Sequence, residues 1–394
     1  MITRRDLLQR TPLLALTPTV PAFLARSVAG MGSAGRILVV LQLSGGNDGL
    51  NTVVPFRDEE YARVRPNLGI GRDKVLKLSD AMGLNPALKG LAALHERGRL
   101  AVLQGVGYPN PNRSHEVSTA IWHTARFDLD EHRGYGWLGR ALDEAAPPAS
   151  GTPSAVLAGS DPLPGALFAR RAVSATVDTL DEYALADLGA LDAAPPSTGV
   201  STEDYVRRTT LEARSTVARL RELAKVAGKE APYPTTELAR RLRLVALMIQ
   251  AGLETPVYYA VQPGYDTHIL QLEVHRRLLS ELGDAVHAFF QDLEANGLAE
   301  RVLLVTFSEF GRRVAENASF GTDHGTAAPM FLVGGGVRAG LHGDAPDLSA
   351  LVDGDLAQSL DFRAVYATLL EGWLGLRSAS ALDGTFAPLP LLKA

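Results

Sequence analysis

Cysteine is absent from all 394 residues. The chain therefore has no disulfide, no thiolate nucleophile, no zinc–thiolate site and no iron–sulfur cluster. That absence leaves the compartment open, because an exported bacterial protein also does without cysteine. A basic excess is lacking as well: 39 Lys and Arg stand against 44 Asp and Glu, a formal net charge of −5. Nothing here is built to neutralise a phosphate backbone, so no nucleic-acid partner is expected. No segment reaches 18 continuous apolar residues, so no stable membrane span is expected in the mature protein. Internal repeats and low-complexity tracts are missing too. What is present is an ordinary globular balance, 46% hydrophobic and 21% charged, which excludes a disordered or fibrous chain. The length suffices to bury a large core without cross-links.

Residues 1–30 have the order of a signal peptide. Thr3-Arg4-Arg5-Asp6-Leu7-Leu8 opens the segment, a mildly apolar stretch runs from Leu13 to Leu24, and Ser27-Val28-Ala29 offers small residues for cleavage. The paired arginines resemble a twin-arginine signal. Pro12, Pro18 and Pro21 break the apolar stretch, which is too short to span a bilayer. The expectation is export to the periplasm or beyond through the twin-arginine translocase, which carries folded proteins.

Beyond residue 30, short apolar runs alternate with amphipathic stretches. The runs Arg36–Leu43, Leu100–Gln104, Pro256–Val261, Val302–Phe307 and Met330–Val333 read as buried strands. Helical periodicity covers Pro86–Arg97, His115–Ala125, Val206–Ala227, Thr235–Ala251, Leu270–Ala295 and Phe362–Leu374. This alternation predicts an α/β fold with a mostly parallel central sheet flanked by helices on both faces. Residues 31–394 are expected to form one domain. It carries an irregular Pro/Ala/Gly/Asp-rich insertion at about 145–200 and a helical insertion at about 202–252.

In a parallel sheet, ligands gather at the carboxyl ends of the strands. After the first run come Gly45-Gly46-Asn47-Asp48-Gly49, a tight turn that presents Asn47 and Asp48. After the second come Arg113-Ser114-His115, with Ser114 at a helix N-cap, where the positive end of the dipole favours anions. Asp266-Thr267-His268 follows the third, close enough together to share a divalent ion. Ser308-Glu309-Phe310-Gly311-Arg312 follows the fourth, and then Asp323-His324 between glycines. Adjacent residues in an extended loop point in opposite directions, so this pair is able to serve two ions. Carboxylates and imidazoles without thiolates suit borderline or hard divalent ions, Zn²⁺, Mn²⁺, Ca²⁺ or Mg²⁺. Two such ions about 4 Å apart form the clamp of ester hydrolysis, with a serine as nucleophile. His342 is a further candidate ligand after a glycine turn. His95, His132, His275 and His287 read as surface histidines, and His123 as a neighbour on the Ser114 helix.

The stretches LQLSGGNDGLNTVVP, NRSHEVSTAIWHT, GWLGR, GYDTH, TFSEFGRRVAENASFGTDHGTA and DFRAVYATLLEGWLG resemble the exported bacterial proteins grouped as domain of unknown function 1501. That family is placed with the alkaline phosphatase-like superfamily, which includes the sulfatases. The resemblance covers nearly all of the chain after the signal and implies an alkaline phosphatase-like fold. It implies metal ligation by Asp48, Asp266, His268, Asp323 and His324, with Ser114 as nucleophile. The spacing of Asp266 and His268 is two residues shorter than the superfamily's. A late histidine is represented only by His342, in a poorly matching context. The implied activity is metal-dependent hydrolysis of anionic phosphate or sulfate esters, with Asn47, Arg113 or Arg312 holding the anionic group and one or two ions bound. The alternative is an exported binding or assembly protein that keeps the fold without the chemistry.

Overall fold

The computed structural model describes residues 35–128, 134–146, 153–178 and 232–393. The expected signal segment and the expected helix Val206–Ala227 lie outside them. In chain order the strands are β1 (Ile37–Ser44), β2 (Val53–Val54), β3 (Leu76–Lys77), β4 (Gly83–Leu84), β5 (Leu100–Gly107), β6 (Ala155–Ala158), β7 (Ser174–Val177), β8 (Val257–Pro263), β9 (Val302–Phe307), β10 (Ala328–Gly334), β11 (Gly340–His342) and β12 (Leu360–Asp361). Strands β2 to β4 make a small separate sheet. The others form a nine-stranded sheet in the order β11-β5-β10-β9-β1-β8-β6-β7, with β12 beside β5. Every pairing in this large sheet is parallel except those of β10, which runs antiparallel to both β5 and β9.

The helices are α1 (Gly49–Thr52), α2 (Glu59–Val64), α3 (Lys89–Glu96), α4 (His115–Thr124), α5 (Trp137–Glu144), α6 (Glu237–Gln250), α7 (Gln271–Ala295), α8 (Phe362–Ala367) and α9 (Ala379–Leu382). They cover the sheet on both faces, and the period-two alternation of each strand divides the core accordingly. Val39, Leu41 and Leu43 of β1 pack with α3, α6 and α7 on one face, through Leu91, Leu242 and Phe289. Leu38 and Val40 pack on the other face with Trp122 of α4, Leu138 of α5 and Tyr366 of α8. Strand β1 is buried on both sides along Ile37–Leu43, which is why its sequence is a continuous apolar run. Each such side chain contributes about 1.5–3 kcal/mol when taken from water.

The expected mostly parallel sheet between helical layers is therefore present. Two features differ from the sequence reading. Residues 155–158 and 174–177, inside the stretch read as irregular, form strand β6, beside β8, and the edge strand β7. At four residues each they are too short to show a period. Strand β10 is antiparallel, a direction that an apolar run does not encode. Among the described residues no helix is long and apolar enough to cross a membrane.

Candidate metal centre

Strands β1, β5, β8 and β9 point the same way, so the loops after them meet at one edge. The loop before antiparallel β10 arrives at that edge too. Glycines allow the loops to nest. Gly45 has φ +121°, and a Cβ there would lie 2.4 Å from the Asp266 backbone nitrogen. A Cβ on Gly321 would lie 2.2 Å from the carbonyl carbon of His268. Backbone this close is open only to glycine.

Four side chains converge in the space so formed. His115, Asp266 and His324 each offer a ligand atom within 4.8 Å of the others. His268 joins them: its Nε2 is 2.9 Å from His324 Nε2 and 3.0 Å from Asp266 Oδ1. His324 Nε2 stands 3.1 Å from the same carboxylate oxygen, and His115 Nε2 is 3.5 Å from Asp266 Oδ2. Each imidazole is fixed from behind through its other nitrogen. His115 Nδ1 meets Glu309 Oε1 at 2.9 Å, His268 Nδ1 meets Asp323 Oδ1 at 3.0 Å, and His324 Nδ1 meets the Arg113 carbonyl at 2.8 Å. Those partners are acceptors, so each Nδ1 carries the proton and donates. In the neutral imidazole each Nε2 is then a lone pair. Three lone pairs and a carboxylate facing one another repel unless a cation lies between them. His115 Nε2 is moreover buried without a hydrogen-bond partner. Carboxylates and carbonyls behind ligating histidines are the usual outer layer of a metal site. The donor set, three imidazoles and one carboxylate, fits a borderline divalent ion.

The electrostatics agree with this geometry. Partial burial raises the pKa of the Asp266 carboxyl, but the hydrogen bond and positive charge of Arg312 outweigh it and hold the pKa at about 2. The hydrogen bond to Glu309 raises the pKa of His115. Hydrogen bonds from Asn317 and His268 lower that of Asp323. Phe310 forms an apolar wall, its ring centroid 4.5 Å from that of His324 and 4.9 Å from that of His115.

The remaining sequence candidates take other places. Asp323 backs His268 and faces away from the convergent nitrogens, so the Asp323–His324 pair serves one cluster from two layers. Asp48 is fully buried, caps α1 through Asn51, and is paired at 2.5 Å with the buried Arg65. Burial raises its pKa, but Arg65, His275 and Gln271 pull it below the usual carboxylate range. It is therefore satisfied by protein groups and is not part of the four-residue cluster. Asn47 is buried, its Oδ1 accepting from Thr52 and His275 while its Nδ2 has no partner. Arg312 is buried and donates to the carbonyls of Gly45, Gly46, Tyr265 and Thr322 and to Asp266. It ties loops together and is not turned toward an open anion site. Arg113 pairs with the buried Asp355. His342 lies on the edge strand β11, opposite Leu103 in the middle of β5, bonded to the Arg338 carbonyl and outside the cluster. His275, read as a surface residue, is 2% exposed, and burial lowers its pKa to about 4.

Ser114 is the exposed N-cap of α4 and makes no side-chain capping bond. It stands between Arg113, whose carbonyl holds His324, and His115. A cleft of about 460 Å³ opens against His115 and Glu309 and runs along α4, past Thr119 and His123, to Phe168. Arg65, Gln271 and Asn317 carried no sequence signal, since a lone polar residue near a helix start or in a loop is ordinary.

No curated protein matches this chain. Among solved structures, the PsFucS1 sulfatase from Pseudoalteromonas sp. is 11% identical, over 93% of this chain and 74% of its own, with a TM-score of 0.41. The zinc complex of the C-terminal periplasmic domain of EcEptC from Escherichia coli is 11% identical over 77% and 73%, with a TM-score of 0.37. TAB5 alkaline phosphatase is 9% identical over 78% and 94%, with a TM-score of 0.37. The family described as protein of unknown function DUF1501 matches residues 36–372, a span that contains every residue of the cluster, and the chain belongs to that family.

Proposed function

We propose that the chain is an exported, divalent-metal-dependent hydrolase of phosphate or sulfate esters, with one ion held by His115, Asp266, His268 and His324. The observation that carries this reading is the convergence of three imidazole Nε2 atoms on one carboxylate, each ring held through Nδ1 by an acceptor. When bound, the ion supplies charge to an ester oxygen and lowers the cost of negative charge developing there. The protein's own groups do the rest. Ser114 presents its hydroxyl at the positive end of α4, where an anionic group is favoured. Its oxygen forms the new bond to phosphorus or sulfur as the bond to the alcohol oxygen breaks. The hydroxyl proton passes to solvent, the departing alkoxide takes a proton from solvent and leaves as the alcohol, and a water molecule then attacks phosphorus or sulfur, releasing the inorganic anion and restoring the Ser114 hydroxyl. Phe310 keeps water from one side of His115 and His324.

The role of Arg65 favours a single ion. Its guanidinium already neutralises Asp48, the residue that would otherwise serve a second one. A second reading, an exported binding or assembly protein, draws support from Arg113 and Arg312, both engaged by protein acceptors and not turned to a substrate anion. Elemental analysis of the purified protein, together with turnover of 4-nitrophenyl phosphate and 4-nitrophenyl sulfate, separates the two. The hydrolase reading expects about one metal per chain, lost in His324→Ala. It also expects turnover that Ser114→Ala abolishes while retaining metal. Metal without turnover of any ester favours the binding protein, and unchanged turnover in Ser114→Ala removes the serine from the mechanism.

A further inference from the structure

Gln271, the first residue of α7, is completely buried and lies behind the loops that carry the ligands. Its Oε1 accepts from the hydroxyl of Thr267 at 3.0 Å and from that of Thr322 at 2.6 Å. Thr267 sits between Asp266 and His268, and Thr322 immediately precedes Asp323 and His324. The two hydroxyls thus bring both ligand loops onto one oxygen. On its other side Gln271 Nε2 donates to Asp48 Oδ2, the oxygen that also accepts from Arg65. Arg65 is in turn anchored on the carbonyls of Arg313 and Val314, in the segment after β9. Both the oxygen and the nitrogen of the Gln271 amide are engaged, and exchanging them would set the NH₂ against two hydroxyl donors and the oxygen against the Asp48 carboxylate.

We propose that Gln271 is the interior clasp of the metal centre. Backed by the Asp48–Arg65 pair, it is a positioning residue that holds the Asp266–His268 and Asp323–His324 loops at ligating distance. The proposal rests on the metal-centre reading given above. It gives the buried Asp48 a use other than ligation, and it explains why neutral amide chemistry is needed at position 271. A carboxylate there would face Asp48 with like charge, and an apolar residue would leave Asp48 and two threonine hydroxyls short of partners. On the solvent side the same loops are joined by Asn317, which donates to the His268 carbonyl and to Asp323. Gln271 works from within, beside the buried Arg312, which donates to Tyr265 and Asp266 on one loop and to the Thr322 carbonyl on the other.

The test compares Gln271→Ala and the milder Thr322→Val with Gln250→Ala, which removes a distant amide bonded to Asp292. Zinc affinity is measured by competition with a chelator. Amide hydrogen exchange of residues 264–268 and 320–325 is measured on metal-free protein. Gln271→Ala is expected to weaken zinc binding about tenfold and to speed exchange in both loops together. Thr322→Val should do the same to a smaller degree and Gln250→Ala neither. If Gln271→Ala does not fold, Thr322→Val decides by the same criteria. Loops and zinc affinity unchanged in the test variants, or only one loop loosened, overturns the clasp. Loops that loosen together in a protein that binds no zinc even as wild type uphold the clasp and remove the metal-centre reading instead.

Discussion

Asp48 and Asp266 are both aspartates just beyond a parallel strand, and their surroundings give them opposite tasks. Asp266 has a side chain 48% exposed and shares its oxygens among Arg312, His268, His324 and His115. Asp48 has none of its side chain exposed and is closed off by Arg65 and Gln271. Replacing one partner of a buried ion pair leaves the other charge unpaired, at a cost of about 3–5 kcal/mol. Asp48→Asn is therefore expected to lower the urea-unfolding free energy by that order, while the folded chain at saturating zinc still binds the same number of ions, with an affinity lowered less than in Gln271→Ala. Asp323→Asn should show the reverse pattern. The exposed carboxylate behind His268 adds little to the fold, but its loss weakens the orientation of the ring. Metal affinity is expected to fall about tenfold with little change in the unfolding midpoint of metal-free protein. A chelator titration beside a urea titration reads both.

At the scale of elements, the site depends on how closely loops from separate strands approach. The turn after β1 abuts the turn after β8, where Gly45 at φ +121° lies against Asp266. An alanine at 45 meets backbone and adopts a conformation that only glycine holds without strain, at a cost of about 1–3 kcal/mol. Gly45→Ala is expected to lose that stability and to displace Asp266, so zinc binding should fall further than the stability loss alone explains. Isothermal titration with zinc on the folded variant checks it. Helix α4 and its N-cap supply Ser114, His115 and one wall of the cleft, from His115 to Thr124. In the sequence His115 stands out only as the neighbour of the candidate serine, and its Glu309 partner is 194 residues away. Strands β6 and β7 were not legible for a related reason: at four residues each, their pairing with β8 and with each other is what makes them strands.

At the scale of the whole molecule, the buried histidines set an acid limit. Burial lowers the pKa of His275 from 6.5 to about 4 and does the same to His123. Above pH 6.5 neither the folded nor the unfolded chain protonates these residues, and no stability is lost through them. As pH falls from 6.5 toward 4 the unfolded chain takes up protons that the folded chain refuses, so stability declines across that window. For His275 the loss amounts to about 3 kcal/mol when complete. His275→Gln, which retains a donor toward Asn47, is expected to flatten the dependence of the urea midpoint between pH 6.5 and 4. The proposed metal centre would link ion binding to folding at the same scale. Zinc at about a thousand times its dissociation constant should add about 4 kcal/mol of stability, seen as a raised melting temperature, and His324→Ala should remove the effect.

The amino-acid order alone determined the class of fold, because β1, β5, β8 and β9 are apolar runs whose burial on both faces requires helices on both sides. It also brought the candidate chemistry to one edge, because polar clusters follow those strands and parallel strands end together. Tertiary structure alone decided which of those clusters meet. Asp266, His268, His324 and His115 share one space, while Asp48 is claimed by Arg65 and His342 is carried off on β11. The physical reason is one of range. A strand or helix is written in neighbouring residues, whereas an ion pair or a ligand set depends on charges many residues apart, whose partners are chosen only when the loops close.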